Sequence, residues 1–177
     1  MKIALVFPPL YGVDLPPIGL AYVAAQLRAD GHKIKVFCFN SRLYREYTDR
    51  RYLWDWRNSN AWLEYDEIKK NFDITRIIDQ WAREILNFGP DAVGLSVNTH
   101  SRLIASLLSC QIKREQNRVK IIYGGPFCSE GLDGTKNLDA SVDIYVKGEG
   151  EIVASMIFKR LTTQEPLRDI KGIILKE

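Results

Sequence analysis

Cysteine and histidine are scarce in this 177-residue chain, at 3 and 2 respectively. Cys38, Cys110 and Cys128 are odd in number and far apart, so they build neither a disulfide framework nor a zinc site; they fit a reducing cytoplasm. CxxC and CxxxCxxC are missing, which removes any local iron–sulfur signature. His32 follows Gly31 in a turn and reads as a surface residue, far from His100. No apolar run approaches the roughly 20 residues of a membrane span. Met1 to Phe7 meets Pro8-Pro9 too early for a signal peptide and reads as a first strand. A strong charge of either sign is missing as well, and a net +3 is too mild to argue for nucleic acid. Neither GxxxxGK followed by Ser or Thr nor GxGxxG occurs, so phosphate-loop and dinucleotide readings lack their fingerprint. There is no internal repeat and no low-complexity segment.

What is present is an ordinary globular composition, 46% hydrophobic and 27% charged. The length suits one domain over residues 1–177, long enough to bury roughly two-thirds of its unfolded surface. After the first strand, Pro17 suits the first turn of a helix. Leu20, Val23, Ala24 and Leu27 repeat at helical spacing until Asp30-Gly31. Ile34, Val36 and Phe37 make a second strand, parallel to the first by the right-handed crossover rule. Ile77, Ile78, Trp81, Ile85 and Leu86 mark an amphipathic helix stopped by Gly89-Pro90. Ala92, Val93 and Leu95 then read as a strand buried on both faces. A helix from His100 to about Glu115, a strand ending at Tyr123, and a loop with a short helix over 129–138 follow. A strand over 142–146, a helix over 152–161 and a late strand over 172–175 complete the chain. Five strands alternating with helices predict an α/β fold, a Rossmann-like, doubly wound and mostly parallel sheet of flavodoxin-like order 2-1-3-4-5.

In such a sheet the loops after strands one, three, four and five converge on one carboxyl rim, where open α/β sheets bind ligands. Here those loops carry Pro8, Pro9 and Gly19; Ser96, Asn98, Thr99 and Ser101; Gly124, Gly125 and Pro126; and Gly148, Glu149, Gly150 and Glu151. Ordinary turn chemistry explains any one of them, but four on one rim point to a binding surface. Glu149 and Glu151 open a helix, where the dipole favours carboxylates. They would repel a phosphate and suit a ligand with amide or hydroxyl donors. No residue is required as a general acid, general base or metal ligand.

The stretches PPIGLAYVAAQLRADGHKIKVF, PDAVGLSVNTHS, IIYGGP and DIYVKGEGE, in this order, resemble the amino-terminal cobalamin-binding domain of cobalamin-dependent radical S-adenosylmethionine enzymes. The resemblance covers nearly the whole chain outside residues 41–72. It implies a corrin lying across the carboxyl rim, its nucleotide tail running down between the loops after strands three and four. Ser96, Asn98 and Thr99 would meet the tail and lower corrin face; Gly124, Gly125 and Pro126 would permit close approach, and Gly148 to Glu151 would receive corrin amides. The mutase type of cobalamin domain carries DxHxxG after strand one. Here Pro8 to Asp14 holds no histidine, so the resemblance implies a cobalamin without a protein histidine beneath its metal. It also implies a methyl-carrier role in a methyltransferase-type enzyme, the methyl group passing from S-adenosylmethionine to Co(I) and on to a substrate radical. S-adenosylmethionine and a [4Fe-4S] cluster would belong to a radical domain, in cis beyond residue 177 or in a partner.

Residues 41–72 exceed any ordinary αβ connection and hold Trp54, Trp56 and Trp62 with interleaved tyrosines and arginines. They predict an ordered insertion of short helices: a cofactor cap or domain interface, extra packing, or a base-stacking surface. Asp49, Asp55, Glu64, Asp66 and Glu67 count against a nucleic-acid groove. A cofactor-less interaction or regulatory module using this insertion is the alternative reading. An FMN site would want Ser/Thr-rich phosphate loops after strand one, and a phospho-acceptor domain would want acidic residues there; Phe7 to Gly12 offers neither.

Overall fold

A computed structural model describes residues 1–14, 16–131 and 138–176. Among them six strands form one sheet in the order β2-β1-β3-β4-β5-β6. The strands are β1 (Lys2–Phe7), β2 (Lys33–Cys38), β3 (Ala92–Ser96), β4 (Lys120–Gly124), β5 (Ile144–Val146) and β6 (Ile173–Leu175). The first five are mutually parallel. The predicted five-stranded sheet therefore gains a member. The late strand pairs antiparallel with β5, Val146 opposite Ile173. Lys147 N–H donates to the Gly172 carbonyl at 2.7 Å, turning the chain back along an edge that would otherwise stay unpaired. The segment 132–137 of the predicted loop lies outside the described residues.

Side chains alternate along every central strand, and the helices sort by the face they cover. Ile3, Leu5, Phe7, Ile122, Ile144 and Val146 pack under α1 (Ile18–Ala29) and α6 (Gly150–Thr163). Val93, Leu95, Ile121, Tyr123 and Tyr145 point the other way, under α4 (Ile74–Asn87) and α5 (Arg102–Glu115). On α4, Ile74, Ile77, Ile78, Trp81 and Ile85 recur at helical spacing and are all buried. Each contributes about 1.5–3 kcal/mol by leaving water.

The insertion is ordered and packs on this second face. It comprises the rest of α2 (Phe39–Glu46), two 3-10 turns over Thr48–Trp54 and Trp56–Leu63, and α3 (Tyr65–Asn71). Leu53, Trp62, Ile68 and Phe72 are buried there. The Trp62 indole donates to the Leu53 carbonyl at 2.9 Å, and its ring meets Trp54 and Phe72 at centroid distances of 5.0 and 5.6 Å. Trp56 at 81% and Tyr52 at 54% exposure are left facing solvent. His32 departs from its expected surface place: it is half-buried, edge-on to Phe158 at 5.8 Å. That burial, with the charge of the amino terminus, lowers its pKa.

Candidate functional site

A cleft of about 910 Å³ opens at the carboxyl end of the sheet, on the face shared by α1 and α6. It is near the upper end of the roughly 300–1,000 Å³ range of small-molecule sites. Leu5, Gly94 and Ile122 form one cross-strand row of its floor. Phe7, Ser96, Gly124 and Val146 line the next level. Ile18, Gly19, Leu20 and Val23 of α1 form one wall, and Gly150, Glu151, Ala154 and Phe158 of α6 the other. The void has a sequence cause. Alternation aims positions 94, 96 and 124 at this face, and they carry no side chain or a hydroxymethyl alone.

Gly125 shapes the rim. Its φ is +96°, and a Cβ there would come within 2.8 Å of the Val97 carbonyl oxygen. Only glycine allows the turn after β4 to fold onto the end of β3 in this way. The fold-over is secured by Val97 N–H donating to the Gly124 carbonyl at 2.8 Å and Phe127 N–H donating to that of Val97 at 3.0 Å. Cys128 is buried beneath it, and burial pushes its thiol up to about 12, so it is no nucleophile at neutral pH. Gly148 N–H donates to Ser129 Oγ at 2.9 Å, tying the loop after β5 to the loop after β4.

The electrostatics of the rim are one-sided. Asp14, Glu130, Glu149 and Glu151 line it, and none of the described lining residues is Lys, Arg or His. The cleft therefore suits neutral or cationic ligands that donate hydrogen bonds, at least along the α6 side. Tyr11 closes the α1 side, its ring 4.4 Å from Phe7. Burial raises its pKa, partly offset by a hydrogen bond to Asn98.

No family model matches the chain. It is 26% identical over 184 aligned positions to an uncharacterized methyltransferase of Pyrococcus horikoshii, covering 100% of this chain and 33% of that protein. Among solved structures it is similar to TsrM, a radical S-adenosylmethionine methyltransferase of Kitasatospora setae. The form with tryptophan and a S-adenosylmethionine analogue gives a TM-score of 0.64 at 17% identity, over 99% of this chain and 28% of that one. The form with cobalamin and a [4Fe-4S] cluster gives 0.60 at 15%, over 99% and 29%. What is shared is the fold. The chain spans about a third of the length of these relatives.

Gly19, Ser96, Gly124, Gly125, Pro126, Gly148, Glu149, Gly150 and Glu151, singled out from the sequence, are brought together in the cleft lining. Pro8, Pro9, Asn98 and Thr99 are not. Pro8 and Pro9 are buried past the end of β1. Asn98 turns inward: its Nδ2 donates to the Leu10 carbonyl at 3.0 Å and its Oδ1 accepts from Ser101 N–H at 2.7 Å. Thr99 borders a separate hollow of about 240 Å³, with Leu63 and Arg102, on the insertion side. Sequence reasoning missed Tyr11, Gly94, Val23 and Ala154. For Gly94 a signal existed, because glycine inside a strand marks a close approach. Among the described residues no group of three or more His, Cys, Asp or Glu could hold a metal ion, and no helix is long and apolar enough to cross a membrane.

Proposed function

We propose that this chain is the cobalamin-holding, methyl-carrier domain of a radical S-adenosylmethionine enzyme of the methyltransferase type. The observation that carries this reading is the cleft itself: large, apolar at its floor, and stripped of side chains at Gly94, Gly124 and Gly125. A bulky apolar group bearing amides fits that chemistry. Leu5, Ile122 and Val146 supply apolar contact, and Glu149 and Glu151 supply acceptors for amide N–H groups. The methyltransferase name of the Pyrococcus relative and the cobalamin in one TsrM structure support the same choice.

Bound there, cobalamin would supply a cobalt centre that takes up and gives away a methyl group. The chain's own part is to bind, orient and shield. In this reading the cofactor is held without a histidine ligand to its metal, which agrees with the place of His32 and His100 outside the cleft lining. S-adenosylmethionine and the [4Fe-4S] cluster are assigned to a radical domain, in the same polypeptide or in a partner.

The test is reconstitution with hydroxocobalamin, desalting, and a visible spectrum. Close to one equivalent should remain, and Ser96→Leu should cut affinity about tenfold or more, since each 1.4 kcal/mol of lost contact is a factor of ten. A folded chain that stays colourless, alone and when extended past Glu177, defeats the reading. The surviving alternative would be an interaction module, favoured by the exposed Trp56 and Tyr52.

A further inference from the structure

We propose that Asn40 and Trp54 are positioning residues through which the 41–72 insertion sets the Tyr11 wall of the cleft; the ligand half of this proposal rests on the cobalamin reading above. Asn40, in the first turn of α2, is completely buried. Its Oδ1 accepts from Tyr11 N–H at 3.2 Å and from the Trp54 indole N–H at 2.9 Å. Its Nδ2 donates to the Tyr11 carbonyl at 3.1 Å and, more weakly, to that of Gly12 at 3.4 Å. A primary amide offers two lone pairs on oxygen and two hydrogens on nitrogen, so its capacity is fully used.

One side chain thus holds both backbone groups of Tyr11, as a strand partner would. Trp54, the second anchor of Asn40, is fixed by the insertion: its ring meets Tyr44 at 5.4 Å, Trp62 at 5.0 Å and Phe72 at 6.4 Å. The path runs from the aromatic cluster on one face of the sheet, through Trp54 and Asn40, to a residue lining the cleft on the other. The insertion is then neither a lid nor mere filling. It is the brace of the loop between β1 and α1.

The experiment compares Asn40→Ala, Trp54→Phe and Trp62→Phe with the parent chain, by amide exchange in the free protein and by hydroxocobalamin titration. Trp54→Phe keeps an aromatic ring while removing the indole N–H and one fused ring, a loss of volume that Trp62→Phe matches, so it remains informative if Asn40→Ala fails to fold. Trp62→Phe removes an indole hydrogen bond inside the same cluster without touching Asn40. The proposal expects Tyr11 N–H to exchange about tenfold faster or more in Asn40→Ala, and severalfold faster in Trp54→Phe, with β1 unchanged. Hydroxocobalamin affinity should fall by similar factors, while Trp62→Phe stays within about twofold on both readouts. Unchanged exchange at Tyr11 overturns the proposal, as does an equal effect of Trp62→Phe. Faster exchange with undiminished affinity overturns it too. If the parent chain binds no hydroxocobalamin, the cofactor reading fails and the exchange comparison still decides the brace.

Discussion

One sheet serves two faces that are finished in opposite ways. Under α4, α5 and the insertion, the positions toward the carboxyl end carry large side chains: Leu95, Val97, Tyr123 and Tyr145 join Phe39, Trp81, Trp62 and Phe127 in one continuous core, beside the small hollow that Thr99 borders. Trp81 lies flat on Phe39, centroids 4.4 Å apart. Under α1 and α6 the same strands offer Gly94, Ser96 and Gly124, and the helices stand over a void. Register makes the difference sharp, since Leu95 opposite Tyr123 and Ser96 opposite Gly124 are successive pairs of the same two strands. The cleft is produced by withholding side chains on alternate positions. The aromatic mass is concentrated on the filled face, in Phe37, Phe39, Trp62, Trp81, Tyr123 and Tyr145.

The largest test of that contrast falls on the filled face. Trp62→Ala removes a fully buried indole and its hydrogen bond to the Leu53 carbonyl. It should cost about 3–5 kcal/mol in chemical denaturation. If the insertion and the sheet are one packed body, the transition stays single and moves to lower denaturant. A separate early transition of the tryptophan fluorescence would instead make the insertion a detachable layer, and the two-face comparison would lose its premise. Gly94→Val on the open face should do the reverse. Its new Cβ meets only the tip of Leu5, at 3.0 Å, and valine suits a strand better than glycine. Stability should stay within about 1 kcal/mol while hydroxocobalamin retention is lost. A large loss of stability would show that the floor is packed core after all.

The open face also shows what the sequence discloses and what it withholds. Period-two patterning with short buried runs is local, and it was enough for β1 to β5, their order and the rim where the small residues collect. The pairing of β6 was not legible, because three apolar residues after α6 can end a chain or return to any free edge. Gly94 carries the signal of a glycine inside a strand, but which face it opens follows only from its register against Leu5 and Ile122. Asn98 and Thr99 lie outside the cleft lining for a different reason. Beyond a strand end alternation no longer holds, and local hydrogen bonds choose the direction: Asn98 caps its own turn with Ser101, and Thr99 is carried to the insertion side. Asn40 looks like any polar residue at the start of a helix. Nothing short of the fold brings it to Tyr11.

The smallest effect concerns how firmly the insertion is joined to the filled face. Arg42 of α2 grips Glu84 of α4 with both guanidinium nitrogens, Nη2 to Oε1 at 3.0 Å, while lying 5.0 Å above the Phe39 ring. The hydrogen bond from Arg42 lowers the pKa of Glu84 below its ordinary 4.5, against the opposing effect of burial. With both side chains about a third exposed, water screens the pair and limits it to about 1 kcal/mol or less. A carboxylate whose pKa is lowered in the fold lends stability that is whole above its unfolded value and disappears as pH falls through its folded one. The urea midpoints of the parent chain and Glu84→Gln should therefore differ at pH 7 and converge as pH falls through the folded pKa of Glu84. Because Glu84 contacts neither Asn40 nor the cleft lining, its loss should leave Tyr11 exchange untouched. If Glu84→Gln loosened Tyr11 as much as Trp54→Phe does, the insertion would act on the cleft through its seating on α4, and the Asn40 contact would be only its nearest visible part.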